Sequence, residues 1–109
     1  MSQTTSVLLV DDSKFARLLV KAFISSNFTD WKIDEAEDAD KALTMVEDKS
    51  YDYMIIDFNM PGMNGLELGR ELRARFPQTV IALLTANIQQ EIQQKAEGLG
   101  LDFIPKPPT

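Results

Sequence analysis

Hydrophobic residues follow two alternating patterns along the chain. Short apolar runs rich in β-branched residues predict buried strands, and they lie at 6–10, 31–36, 53–56, 80–84 and 103–104. Between these runs, apolar residues recur every three to four positions, which is the period of a helix with one buried face. Regular alternation of strands with helices predicts βαβ units and a parallel sheet. We therefore expect a single α/β domain.

The helical stretches carry signals for their buried faces and their ends. In the first stretch, the helical repeat predicts that the buried face consists of Phe15, Leu18, Leu19, Ala22 and Phe23. The other three stretches are preceded by the expected N-cap residues Asp38, Asn64 and Asn87. Glu67 follows Asn64 by three residues, so this pair resembles a capping box.

Composition excludes several kinds of chemistry. The 109 residues include no Cys and no His, which rules out disulfides, thiolate or imidazole catalysis, and metal sites built from those ligands. Any metal must be held by oxygen, as Mg²⁺, Ca²⁺ and Mn²⁺ are. The net charge of −6 disfavours nucleic acid and anionic membranes as partners. Without a signal peptide or membrane-spanning run, the expected location is the cytoplasm.

Polar residues follow the predicted strands at their carboxyl ends. Asp11 and Asp12 follow the first strand, and Asp57 follows the third. Thr85 and Lys106 follow the fourth and fifth strands. Each alone has an ordinary explanation as a cap, a turn residue or a surface charge. In a parallel sheet, however, these ends meet at one edge. Mg²⁺ would relieve the repulsion of three carboxylates there, and one carboxylate could attack phosphorus.

Four stretches resemble a known family: VLLVDDS (7–13), YDYMIIDFNMPGMNG (51–65), IALLTAN (81–87) and DFIPKP (102–107). Together they are similar to the receiver domain of bacterial response regulators, and DFNMPGMNGLEL is especially similar to chemotaxis receivers. The resemblance implies a flavodoxin-like, doubly wound sheet of five parallel strands in the order 2-1-3-4-5. It extends throughout the chain, so we expect residues 1–109 to form one receiver domain.

The resemblance also implies a phosphorylation switch of a two-component system. By this resemblance, Asp57 accepts a phosphoryl group from a histidine kinase or phosphotransfer protein. Asp12 and Asp57 would bind Mg²⁺, together with Asp11 and the backbone carbonyl of Asn59. Lys106 would contact the phosphoryl group. The chain would catalyse only its own phosphorylation and dephosphorylation, and would not otherwise be an enzyme.

Thr85 and Phe103 match the two residues that change position on phosphorylation in this family. The Thr85 hydroxyl would move toward the phosphoryl group while Phe103 turns inward. This change would alter the surface of the fourth helix and last strand, through which a downstream effector or output domain would be controlled, with chemotaxis as the suggested pathway. The competing explanation for Phe103 is ordinary core packing.

Two other functions stay open at this level. A pseudo-receiver would bind a partner without using phosphate. A Mg²⁺-dependent phosphohydrolase would use an Asp nucleophile, but such enzymes place two Asp residues two positions apart after the first strand. Here Asp11 and Asp12 are adjacent, and residue 13 is not an Asp.

The family's fifth helix has no counterpart in the sequence. Only the segment 105–109, with three prolines, follows the last predicted strand. We therefore expect the domain to be truncated after that strand, with four helices present. Apolar surface left open near the first helix and last strand would favour self-association.

Overall fold

Strands and helices alternate along the whole described chain, as the hydrophobic pattern predicts. The computed structural model describes residues 4–86 and 90–105. These residues form β1 (Thr5–Val10), α1 (Lys14–Asn27), β2 (Trp31–Ala36), α2 (Ala39–Asp48), β3 (Tyr53–Asp57), α3 (Gly65–Arg75), β4 (Val80–Thr85), α4 (Gln90–Gly98) and β5 (Asp102–Pro105). Within these residues no helix is long and apolar enough to cross a membrane.

The strands form one parallel sheet in the order β2-β1-β3-β4-β5. The predicted order 2-1-3-4-5 is therefore confirmed, and so is the flavodoxin-like α/β fold with four helices. The chain runs to one side of β1 to form β2 and then to the other side to form β3. The carboxyl ends of β1 and β3 consequently flank the point where strand order reverses, which is where ligands bind in such sheets.

The two faces of the sheet are covered by different helices. Helices α2, α3 and α4 pack on one face, where strand residues such as Leu8, Ile56 and Leu83 are buried. Helix α1 packs on the opposite face against Leu9 and Leu84. Because helices cover both sides of the interior strand β1, its residues 7–10 are all fully buried. This explains why β1 is a continuous apolar run rather than an alternating one.

The buried face of α1 is not the one that the sequence predicts. Phe15 is 70% exposed, Leu18 52% and Leu19 50%, whereas Val20 and Ile24 are both only 4% exposed. Ala22 and Phe23, the other two residues of the predicted face, are exposed as well. The residues that face the sheet form a second helical stripe, at positions 17, 20, 21 and 24. The prediction is wrong because two residues of this stripe are basic, so the stripe does not stand out as an apolar face. Their charged ends pair with Glu35 of β2, so the polar residues of this stripe can face the sheet.

The described helix ends agree with the expected caps. Asp38 accepts a hydrogen bond from Lys41 N at 2.8 Å, and Asn64 accepts one from Glu67 N at 2.9 Å. Each bond satisfies a backbone N–H that has no partner within the first turn of the helix. Asn87 lies outside the described residues.

An apolar groove lies beside α1 on its face of the sheet. Its volume is about 350 Å³, and its walls include Val20, Ile24, Ile55, Leu84 and Ile104. In the described part of the chain, α1 is the helix that covers this face. The groove therefore lies where the sequence predicts open apolar surface, between α1 and the strands β3, β4 and β5.

Candidate functional site

Three carboxylates meet at the carboxyl edge of the sheet. Asp11, Asp12 and Asp57 each place an oxygen within 4.8 Å of the other two. Asp11 is fully buried and Asp57 is 4% exposed, whereas Asp12 is exposed to solvent. The structure therefore brings together three of the predicted site residues, and Asp12 opens the cluster to solvent.

Strand register brings these residues together. Val10 of β1 pairs with Ile56 of β3, so Asp11 and Asp57 follow neighbouring strands at the same level. Hydrogen bonds continue beyond the strand ends and hold this edge. Asp11 N donates to Ala36 O at 3.1 Å, and Phe58 N donates to Leu84 O at 2.9 Å. The cluster thus rests on the central part of the sheet rather than on a free loop.

Two residues that the sequence analysis did not select hold Asp11 in place. Ser13 N donates to Asp11 Oδ1 at 2.9 Å, and Arg17 Nη1 donates to the backbone carbonyl of Asp11 at 2.6 Å. Ser13 also caps α1 by accepting a hydrogen bond from Ala16 N at 3.2 Å. A Ser directly before a helical pattern is a recognisable N-cap signal. Arg17 had no such signal, because its partner is a backbone carbonyl on another element.

The loop between β3 and α3 packs directly against the Asp57 backbone. Gly65 N donates to Phe58 O at 3.0 Å. A Cβ atom at Gly65 would lie 2.2 Å from the Asp57 carbonyl oxygen, so this close approach requires glycine. Asn59, predicted to offer its backbone carbonyl to the metal, lies in this loop and is exposed.

Thr85 and Phe103, the other predicted residues that the structure describes, lie on the opposite side of Asp57 from the acidic pair. Asp57 pairs with Leu84, so Thr85 lies one residue beyond it on the neighbouring strand and is fully buried. Phe103 of β5 pairs with Leu83 and is half-buried against the core beneath α2, α3 and α4. Lys106 lies outside the described residues.

The donor set suits a hard divalent cation. Carboxylate oxygens are the preferred ligands of Mg²⁺, which binds through one or two carboxylates while keeping several waters. The two nearly buried carboxylates and the exposed one concentrate negative charge that a cation would offset. In residues 4–86 and 90–105, this trio is the one group of three or more metal-ligating side chains with such spacing.

Curated proteins with similar sequences differ in how much of their own length this chain covers. The sensor protein EvgS of Escherichia coli strain K12 is 37% identical over 103 residues, which cover 94% of this chain and 8% of that protein. The chemotaxis protein CheY of Pseudomonas aeruginosa is 32% identical over 107 residues, covering 94% of this chain and 85% of that protein. The chain thus spans a small part of one relative and most of the other.

Solved structures agree with the fold. The chemotaxis protein CheY4 of Vibrio cholerae has a TM-score of 0.88 and 28% identity, covering 98% of this chain and 90% of that one. The response regulator protein TrrA of Thermotoga maritima, solved in complex with Mg²⁺ and BeF, has a TM-score of 0.83 and 30% identity. That match covers 94% of this chain and 86% of that one.

The family pattern described as "Response regulator receiver domain" matches residues 7–109. Its phospho-accepting members act in two-component signalling and bind Mg²⁺ at an acidic pocket, and this chain, which has an acidic cluster of three Asp residues, belongs to that family.

Proposed function

We propose that this chain is a switch that accepts a phosphoryl group on Asp57 from a phosphohistidine of a kinase or phosphotransfer protein, with Mg²⁺ bound at the acidic cluster. The meeting of Asp11, Asp12 and Asp57 within 4.8 Å carries this proposal. The chain has no His, so the donor imidazole lies outside these 109 residues. The Mg²⁺–BeF complex of TrrA supports a metal in such a site.

Strand order favours Asp57 as the acceptor among the three carboxylates. β3 lies between β1, which leads to the acidic pair, and β4, which ends in Thr85. A phosphoryl group on Asp57 would therefore have carboxylates that bind metal on one side and a hydroxyl donor on the other. Asp11 is already oriented by its hydrogen bond from Ser13 N at 2.9 Å, which suits a metal-orienting role better than nucleophilic attack.

The chemistry requires positioning and charge neutralisation more than covalent catalysis. A carboxylate oxygen of Asp57 forms the bond to phosphorus as the bond from phosphorus to the donor nitrogen breaks. Asp11, Asp12 and the carbonyl of Asn59 would hold the ion, which would neutralise charge on the phosphoryl oxygens. Lys106 and the Thr85 hydroxyl would contact the remaining oxygens.

We propose that the signal leaves the site through Thr85 and Phe103. Thr85 lies on β4, which neighbours β3, and Phe103 lies on β5, which neighbours β4; Phe103 packs against the same core cluster as Ile92 and Leu99. A shift of the Thr85 hydroxyl toward a phosphoryl group would free space for the Phe103 ring, because the two positions share one face of the sheet. An effector would read the altered α4–β5 surface, in chemotaxis by analogy with the CheY relatives.

Receiver domains are signalling modules that are generally not enzymes, and we assign to this chain only its own phosphorylation and dephosphorylation.

The apolar groove beside α1 is a candidate surface for self-association, as expected for uncovered apolar area. Light scattering checks this proposal, and a monomer at all accessible concentrations would contradict it. The cytoplasmic location predicted from the sequence stays a prediction.

The decisive experiment is phosphorylation by acetyl phosphate. The intact mass is measured with and without Mg²⁺, for the wild type and for Asp57→Ala. We expect the gain of one phosphoryl group in the wild type only, and only with Mg²⁺. No gain in the wild type would favour a pseudo-receiver. Continuous hydrolysis of a small phosphate ester would instead favour the phosphohydrolase.

A further inference from the structure

We propose that Arg17 is a positioning residue of the acidic site, which sets the direction of the Asp12 carboxylate by holding the Asp11 carbonyl. This inference rests on the proposed Mg²⁺ site and extends it to a residue outside the metal ligands. Arg17 Nη1 donates to Asp11 O at 2.6 Å. That oxygen belongs to the peptide unit that joins Asp11 to Asp12.

Control of this one peptide affects both carboxylates. A peptide unit is planar, so fixing its carbonyl oxygen also fixes the N–H of Asp12. The two rotations that border the plane, ψ of Asp11 and φ of Asp12, then have little freedom. Asp11 is additionally held at its own N–H by Ala36 O at 3.1 Å. The N–H and the carbonyl of Asp11 are therefore both held. The backbone consequently enters Asp12 in a fixed direction, and this direction sets where the Asp12 carboxylate points.

Arg17 is itself held firmly enough to act in this way. Its Nε donates to Glu35 Oε1 at 2.9 Å, and its side chain is only 13% exposed. Its backbone N–H donates to Ser13 O at 3.0 Å within the first turn of α1. The planar guanidinium thus donates to two acceptors, the Glu35 carboxylate of β2 and the Asp11 carbonyl directly after β1. A lysine ammonium, a point charge on a flexible stem, does not reproduce this fork.

Lys21 offers a matched control on the same helix. It lies one turn after Arg17, and its Nζ donates to the other Glu35 oxygen, Oε2, at 2.9 Å. Among the described hydrogen bonds, however, the Lys21 side chain has none to Asp11 or Asp12. Lys21→Met therefore removes a contact between α1 and β2 while leaving the Asp11 carbonyl bound.

The experiment separates positioning from simple stabilisation of the fold. The free energy of unfolding in urea without Mg²⁺ and the Kd for Mg²⁺ by calorimetry are measured for the wild type, Arg17→Met, Arg17→Lys and Lys21→Met. We expect both Arg17 variants to bind Mg²⁺ about tenfold more weakly, the lower end of the usual effect of residues behind metal ligands. The Kd of Lys21→Met should stay within about twofold of the wild-type value, even if this variant loses comparable stability.

A spectroscopic readout tests the peptide directly. In Mg²⁺-free protein, the amide resonance of Asp12 should move in Arg17→Lys, which keeps the charge, and stay in place in Lys21→Met. Equal Mg²⁺ affinity in wild type and Arg17 variants would overturn the proposal, as would affinities that merely follow stability across all variants. A wild type that binds no Mg²⁺ would overturn it too. Mg²⁺ binding without phosphorylation of Asp57 would refute the proposed function alone, because the Arg17 comparison uses no phosphoryl donor.

Discussion

Gly65→Ala is the substitution for which the structure and intrinsic helix preference predict opposite signs. Gly65 is the first residue of α3, and its φ is not positive. Judged by propensity alone, alanine there would stabilise the helix by up to about 1 kcal/mol. The tertiary structure opposes this gain, because the new methyl group would lie 2.2 Å from the Asp57 carbonyl oxygen and 2.8 Å from its carbonyl carbon.

The size of the clash decides the sign. Real Cβ atoms essentially never approach another heavy atom closer than 3.0 Å, and the three nearest neighbours of this methyl group are all backbone atoms. No side chain can rotate away, so α3 or the end of β3 must shift by nearly an ångström. Overpacking of this kind costs about 1–3 kcal/mol. We therefore expect Gly65→Ala to destabilise the protein by about 1–2 kcal/mol after the gain in propensity is included.

Gly98→Ala is the matched control. Gly98 also lies in a helix, at the last position of α4, and a Cβ there would meet nothing within 4 Å. Urea unfolding should show Gly98→Ala equal to or slightly more stable than the wild type and Gly65→Ala clearly less stable. Acetyl phosphate should also phosphorylate Gly65→Ala more slowly, since the displaced atoms belong to the proposed acceptor. Equal stability of Gly65→Ala and the wild type would refute the reasoning.

Three further predictions concern α1, acid stability and the metal. Ile24→Ala should lower the free energy of unfolding by about 3 kcal/mol and Leu19→Ala by less than about 1 kcal/mol, because Ile24 is 4% and Leu19 50% exposed. Similar losses for the two variants in urea unfolding would mean that α1 is oriented differently. Hydrogen bonds from Lys49 and Tyr51 hold the pKa of Asp34 below its ordinary value of 3.8. A carboxyl group whose pKa is lowered by folding stabilises the folded protein at pH values above its unfolded-state pKa, and this stabilisation is lost as the pH falls through the folded-state pKa. Asp34→Asn should therefore lose less stability than the wild type between pH 7 and pH 3 in urea unfolding, and identical losses would contradict this. Mg²⁺ should raise the melting temperature of the wild type more than that of Asp12→Ala, and an equal rise in the two proteins would remove Asp12 from the metal site.

The sequence anticipates much of the site because short-range patterns and topology act together. Apolar runs locate the strands, and the residue after a run is placed at the strand's end whatever the rest of the fold does. Asp11 and Asp57 thus meet once the sheet is parallel and β1 neighbours β3. The caps Asp38 and Asn64 are likewise predictable, since each acts on a backbone N–H three residues away.

Contacts between distant segments were not predictable in this way. The first helix carries two apolar stripes, and only packing against Leu9 and Leu84 selects the one with Val20 and Ile24. The selection depends on Glu35, 18 positions after Arg17, which allows a basic residue to face the sheet. No periodicity in α1 contains that information.

The sequence by itself therefore determined the class of fold, the order of its elements and the residue types at the carboxyl edge of the sheet. Hydrophobic period, cap chemistry and position after a strand are local properties, so they can be read without the fold. Only the tertiary structure decided which side of α1 is buried, how Arg17 reaches the Asp11 carbonyl, and why residue 65 must be glycine. Each of these depends on how closely two segments far apart in sequence approach one another, a distance that packing of the whole domain sets.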